Sequence, residues 1–241
     1  MDYCAKQALW DLPLTRLPAQ QAFPLEPVCI FANSLKITAD SSLETRFLAH
    51  RFLARRQFSQ LGILTHDAFD KVDWEMVYHT LHDVPRLFQQ WVCKQVFGIA
   101  GTMEWDKNTI RNCPSCLQVR DTCAHVLDCE HSGRVETLRH TIELMEGWLE
   151  EANTDPDLLD CITEYAWTRG GRTMKEICTG LGEDYQQMAR DQDTIGWRRF
   201  MEGMISGHMR RIQTQYHHRE SSRTSPERWA KGLILKLLEA T

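Results

Sequence analysis

The stretch Cys113–Cys129 reads CPSCLQVRDTCAHVLDC, and the rest of the chain is organised around it. Its thiols and imidazole fall in the spacing C-x2-C-x8-H-x3-C, with Cys123 as a fifth possible donor inside it. Pro114 and Ser115 favour a tight turn that points the sulfurs of Cys113 and Cys116 the same way. His125 and Cys129, four apart, share a face if AHVLDC is helical. A turn pair and a helix pair together supply the four ligands that tetrahedral zinc requires. The candidate ligands are therefore Cys113, Cys116, His125 and Cys129. Cys123 in place of His125, or His131 in place of Cys129, are alternatives that spacing leaves open. With all four positions filled by protein, the site reads as structural, because a catalytic zinc keeps one position for water.

Outward from this stretch the chain reads as helical on both sides. The expected fold is mainly α: a multi-helix domain with a small Cys/His zinc-knuckle insertion and at most one short N-terminal β-hairpin. Residues 1–39 form an extended lead-in, punctuated by Pro13, Pro18, Pro24 and Pro27, with a short strand or hairpin in VCIFANSLKIT. Residues 40–101 form a helical segment, 102–132 the zinc-binding segment, and 133–241 a helical segment packed with 40–101 as one domain. Within these, apolar spacing predicts single helices near Asp67–Leu81, Val84–Val96, Gly133–Glu150, Pro156–Thr168, Asp184–Asp191 and Pro226–Leu238. Leu87, Val135 and Leu144 count among the expected apolar positions. The longest predicted amphipathic helix is Ile195–His218, whose Gly203 and Gly207 stack on one face for close helix approach. The last helix leaves an apolar stripe that suggests a fragment, or a face packed on a partner.

Charge is unevenly distributed along the 241 residues, which carry a net charge of −5. Residues 102–193 hold nine basic and nineteen acidic side chains, whereas 194–241 hold nine basic and four acidic. The paired Arg198, Arg199, Arg210 and Arg211 are the candidate nucleic-acid contacts, with RNA or DNA as partner. The competing reading docks this basic segment on the acidic middle of the chain, residues 102–193. No run of about 18 apolar residues predicts a membrane span. Nine cysteines with no visible secretory leader point to a reducing, intracellular setting, cytoplasm or nucleus. No phosphate loop, nucleophile elbow or metalloprotease motif is present, so no enzyme is expected and no small-molecule substrate is evident.

Several blocks carry a family resemblance: FDKVDWEMVYHTL from Phe69, WVCKQVFGIAG from Trp91 with Thr102, CPSC, HVLDC, and WLEEANTDPDLLDCITEYAWTRGG from Trp148. Gln192, IGWRRFMEGMIS from Ile195 and the closing helix around Trp229 complete the series. Together they resemble the C-terminal portion of reverse-transcriptase-containing, retrotransposon-like open reading frames of diatoms. The Cys/His block is also similar to the zinc-binding region that follows reverse transcriptase in non-LTR retroelements. The likeness places Cys113, Cys116, His125 and Cys129 at its ligand positions. It implies a piece of a mobile-element protein, or a stand-alone descendant, with other mobile-element proteins as further partners. The aromatic-x-Asp-Asp turn of a polymerase is missing, so the resemblance implies no polymerase here. Two functions follow as expectations: a non-enzymatic zinc-binding helical module that assists RNA or DNA handling, or a helical protein-interaction module whose zinc is purely structural.

Overall fold

A computed structural model describes residues 31–32, 35–36, 41–100, 112–220 and 224–240. The lead-in over 1–30 and the residues 101–111 lie outside them. Two compact units divide the chain, Met1–Leu53 and Ala54–Thr241. In the first, strand β1 (Phe31–Ala32) pairs antiparallel with β2 (Leu35–Lys36), Phe31 opposite Lys36, which is the short N-terminal hairpin expected. Everything else among the described residues is helix and connection.

Helix α1 (Ser41–Gln60) ends at a left-handed Gly62, and Thr65 then caps α2 (His66–Lys71) by accepting from the Ala68 amide. Asp73 caps α3 (Trp74–Asp83), and Pro85 precedes α4 (Arg86–Val96). After the Cys/His stretch, which holds α5 (Cys123–Asp128), α6 (Ser132–Glu151) is as long as α1 at 20 residues. Asp155 caps α7 (Pro156–Trp167), whose Pro156 sits in the first turn where its missing N–H costs nothing. A reciprocal capping box between Thr173 and Glu176 opens the one-turn α8 (Met174–Ile177). Then follow α9 (Glu183–Ile195), α10 (Trp197–Met201), α11 (Gly207–Arg219) and α12 (Pro226–Glu239).

Two predicted helices are broken, and the breaks meet. Asp67–Leu81 is interrupted at Val72–Asp73, and Ile195–His218 at Gly196 and again between Glu202 and Ser206. Val72 bridges Ser206 antiparallel, and the Asp73 amide donates to the Ile205 carbonyl at 2.9 Å. The side chain of Gln192, fully buried, completes the exchange: its amide donates to Met204 O and its oxygen accepts from Ser206 N. Backbone groups freed by the two breaks thus satisfy one another, as buried N–H and C=O groups must. Gly203 lies in a turn at φ 81°, so it does not stack with Gly207 on a helix face. Close approach does occur there, since a Cβ on Gly203 would sit 3.1 Å from Ile234.

One core runs through the second unit, from Leu64, Phe69 and Met76 through Ile142, Leu149 and Ile162 to Phe200, Trp229 and Leu237. Helices before and after the Cys/His stretch share it: α12 packs against α3, α6 and α11, and α9 against α2. The stripe of α12 is covered by the chain itself, with Trp229, Leu233, Ile234 and Leu237 all at 0 % exposure. It needs no partner to bury it. Leu87 at 80 %, Leu144 at 57 % and Val135 at 38 % face solvent instead of the core. No helix among the described residues is long and apolar enough to cross a membrane.

Candidate metal centre

The knuckle is built by backbone geometry. Asn112 and Arg120 form an antiparallel bridge, and the Cys113 amide donates to Val119 O at 2.7 Å. Leu117, at φ 60°, turns the chain back and donates its amide to Cys113 O at 2.8 Å. Asn112 Nδ2 donates to Leu117 O at 3.0 Å, holding that left-handed residue in place. Thr122 then caps α5 by accepting from the His125 amide, which aims the imidazole back at the knuckle.

The structure brings the donor atoms of Cys113, Cys116, His125 and Cys129 within 4.8 Å of one another, so the four can hold a metal ion. Cys113 Sγ and Cys129 Sγ are 3.9 Å apart, and Cys116 Sγ lies 3.3 Å from His125 Nε2. Thiolates at about 2.3 Å from a tetrahedral ion are about 3.8 Å from each other, with the sulfur–nitrogen edge somewhat shorter. The two measured donor separations thus match the edges of such a tetrahedron.

Electrostatics favour thiolate on the knuckle. Burial pushes the Cys113 thiol up, but the backbone amides of Cys116 and Ser115, with the side chains of Cys129 and His125, together hold it below its ordinary value. The amides of Gln118 and Val119 lower Cys116 in the same way. Cys129 is raised, chiefly by burial, and has no such set of amides. Cys123 stands outside the cluster, buried against the core with its thiol raised by desolvation. The side chain of His131 is occupied as the cap of α6, accepting from the Gly133 amide at 3.2 Å. Neither alternative donor joins the four.

Three residues that local spacing did not single out fasten the site to the helices. Gln95 on α4 donates to Cys123 O at 3.1 Å, and Arg134 on α6 donates to Ser115 Oγ at 3.1 Å. Arg169, in the turn after α7, donates to Leu127 O at 2.6 Å and Cys129 O at 3.1 Å. It caps the C-terminal carbonyls of α5, where a cation is favoured. Local spacing carries no signal of this contact, because Arg169 lies 40 positions after Cys129, whose carbonyl it serves.

The candidate nucleic-acid arginines lie elsewhere, and all four meet carboxylates within the chain, of which Asp184 alone falls in the acidic middle, 102–193. Arg199 binds the buried Glu202 and donates to Ile63 O and Val96 O. Arg198 Nε donates to the other oxygen of Glu202 at 3.1 Å. Arg210 holds Asp73 through two nitrogens, at 2.6 and 3.2 Å, and Glu75 through one at 3.0 Å. Arg211, with a side chain 62 % exposed, faces Asp184 at 3.9 Å. No protein family, curated protein or solved structure matches the chain.

Proposed function

We propose that the chain is a non-enzymatic helical module in which zinc, held by Cys113, Cys116, His125 and Cys129, fixes a knuckle onto a helical core for contact with a protein partner. The observation that carries the zinc reading is the meeting of four soft and borderline donors within 4.8 Å of one another. Four protein donors leave no position for water or substrate, which supports a structural role. The engagement of Arg198, Arg199 and Arg210 by Glu202, Asp73 and Glu75 supports protein over nucleic acid, because phosphate affinity rests on available Lys and Arg charge. The descent from a reverse-transcriptase-bearing mobile element rests on the sequence blocks alone. That descent, together with the exposed Arg211, sustains the second reading, a helper in RNA or DNA handling.

Metal analysis of the purified protein, followed by melting with and without a chelator, tests the zinc reading. One zinc per chain and a melting temperature lowered by roughly 10 °C or more on chelation are expected, since metal affinity at such a site is folding free energy. Cys116→Ser should behave as the chelated protein does. An unchanged melting curve after chelation rejects a structural metal. Titration with single-stranded RNA at two salt concentrations separates the two partners. Binding that weakens steeply with salt, and less steeply after Arg211→Ala, would favour nucleic acid.

A further inference from the structure

Outside the metal centre, the chain holds a second pair of cysteine sulfurs in contact. Cys161 Sγ and Cys178 Sγ are 3.2 Å apart, closer than Cys113 and Cys129 at 3.9 Å, and neither belongs to the four-donor cluster. Cys161 sits inside α7 between the fully buried Leu158 and Ile162 side, and Cys178 closes α8. Both are free thiols, at 2 % and 0 % exposure.

The backbone around Cys178 is fixed from both directions. Its amide donates to Met174 O at 2.9 Å, while its carbonyl accepts from Leu181 N at 3.1 Å and Gln186 Nε2 at 2.5 Å. Asp193 in turn grips the first turn of α8 through the amides of Met174 and Lys175. The two sulfurs therefore cannot drift apart easily. A disulfide would bring them from 3.2 Å to about 2.05 Å, a closure of about 1.2 Å.

We propose that Cys161 and Cys178 are a modification site: a thiol pair that a peroxide of the hydrogen peroxide class oxidises to an intramolecular disulfide joining α7 to α8. In the first step one sulfur attacks a peroxide oxygen, the O–O bond breaks, and the thiol proton leaves with the departing hydroxide as water. The product is a sulfenic acid. The second sulfur then attacks the sulfenic sulfur, the S–S bond forms, the S–O bond breaks, and hydroxide departs with the second thiol's proton as a second water. Two electrons pass from the pair to the peroxide, and nothing else is consumed. The Cys178 hydrogen bond and burial both keep the Cys161 thiol protonated. Reaction is consequently slow. The exposed Cys93, which has no paired sulfur near it among the described residues, is the internal reference for a lone thiol.

The test treats the zinc-loaded full chain with hydrogen peroxide, alkylates remaining thiols under denaturing conditions, and maps the peptides without reductant. The expected result is a cross-linked peptide pair containing Cys161 and Cys178, lighter by two hydrogens and restored by dithiothreitol. The oxidised chain should also melt about 5 °C higher, because the cross-link restricts the unfolded state. Cys161→Ala should abolish both the cross-link and the melting gain. Should that variant fold poorly, the wild-type peptide map decides alone. Recovery of Cys161 and Cys178 as separate alkylated or sulfinic peptides, after prolonged treatment well beyond the dose that oxidises Cys93 completely, overturns the proposal.

Discussion

At the scale of single residues, the tightest of the described glycines is one where a side chain would have no room. Gly232 lies within α12, and a Cβ built on it would fall 2.2 Å from Cζ2 and 2.7 Å from Cη2 of Trp148 on α6. Gly232→Ala would normally stabilise a helix interior, since alanine is the better helix former. Here the expected outcome is the reverse, a loss of about 2 kcal/mol from overpacking, read by urea denaturation. A gain in stability would mean that Trp148 moves aside at no cost. Nothing in the sequence around Gly232 announces this role, because the contact comes from a helix more than eighty positions earlier. The metal ligands are the opposite case. Their spacing alone places Cys113, Cys116, His125 and Cys129 together, because a turn and one helical repeat are local geometries. What spacing could not decide was Cys123 against His125, which depends on which side of a one-and-a-half-turn helix meets the core.

At the scale of elements, periodicity found most helices and missed the places where they stop. The pattern of Ile195–His218 is helical throughout because α10 and α11 bury their apolar residues in the same core, so the spacing survives the break. The cause of the break is remote: backbone at Val72–Asp73 exchanges hydrogen bonds with backbone at Ile205–Ser206. Gln192 is the side chain that makes this crossing tolerable. Gln192→Ala would leave the buried Ser206 N–H and Met204 C=O without their partners, at an expected loss of about 2–3 kcal/mol. The comparison is Gln192→Met, which restores volume without hydrogen bonds and should recover little of the loss. Full recovery by methionine would assign the cost to packing instead.

At the scale of the whole molecule, the basic C-terminal segment turns inward. Its arginines join segments far apart in the chain: Arg210 reaches Asp73 and Glu75, and Arg199 reaches Ile63 and Val96. Formal charge by segment showed the imbalance but not its destination, which depends on tertiary contacts. Glu202, at 3 % exposure, lies at the centre of this arrangement. Burial raises its pKa above the ordinary 4.5, and Arg199 and Arg198 pull it back only in part. The folded state thus holds the proton more tightly than the unfolded chain. Its contribution to stability is complete below about pH 4.5 and is lost as pH rises through the folded-state value. Glu202→Gln mimics the protonated form at every pH. The stability of Glu202→Gln relative to wild type should therefore rise between pH 4 and neutrality, followed by chemical denaturation across that range. A difference that stays constant with pH would mean the two arginines fully offset burial.

The grip of Arg169 on the carbonyls of Leu127 and Cys129 has a consequence in time. A ribosome delivers all four metal donors before it delivers the guanidinium that fastens the last of them, 40 positions later. At synthesis rates of about 5–20 residues per second, that interval lasts roughly two to eight seconds. During it the nascent knuckle can capture an ion while still untethered from the turn that will later hold it. An ion captured in that interval would therefore be held before the final docking contact exists.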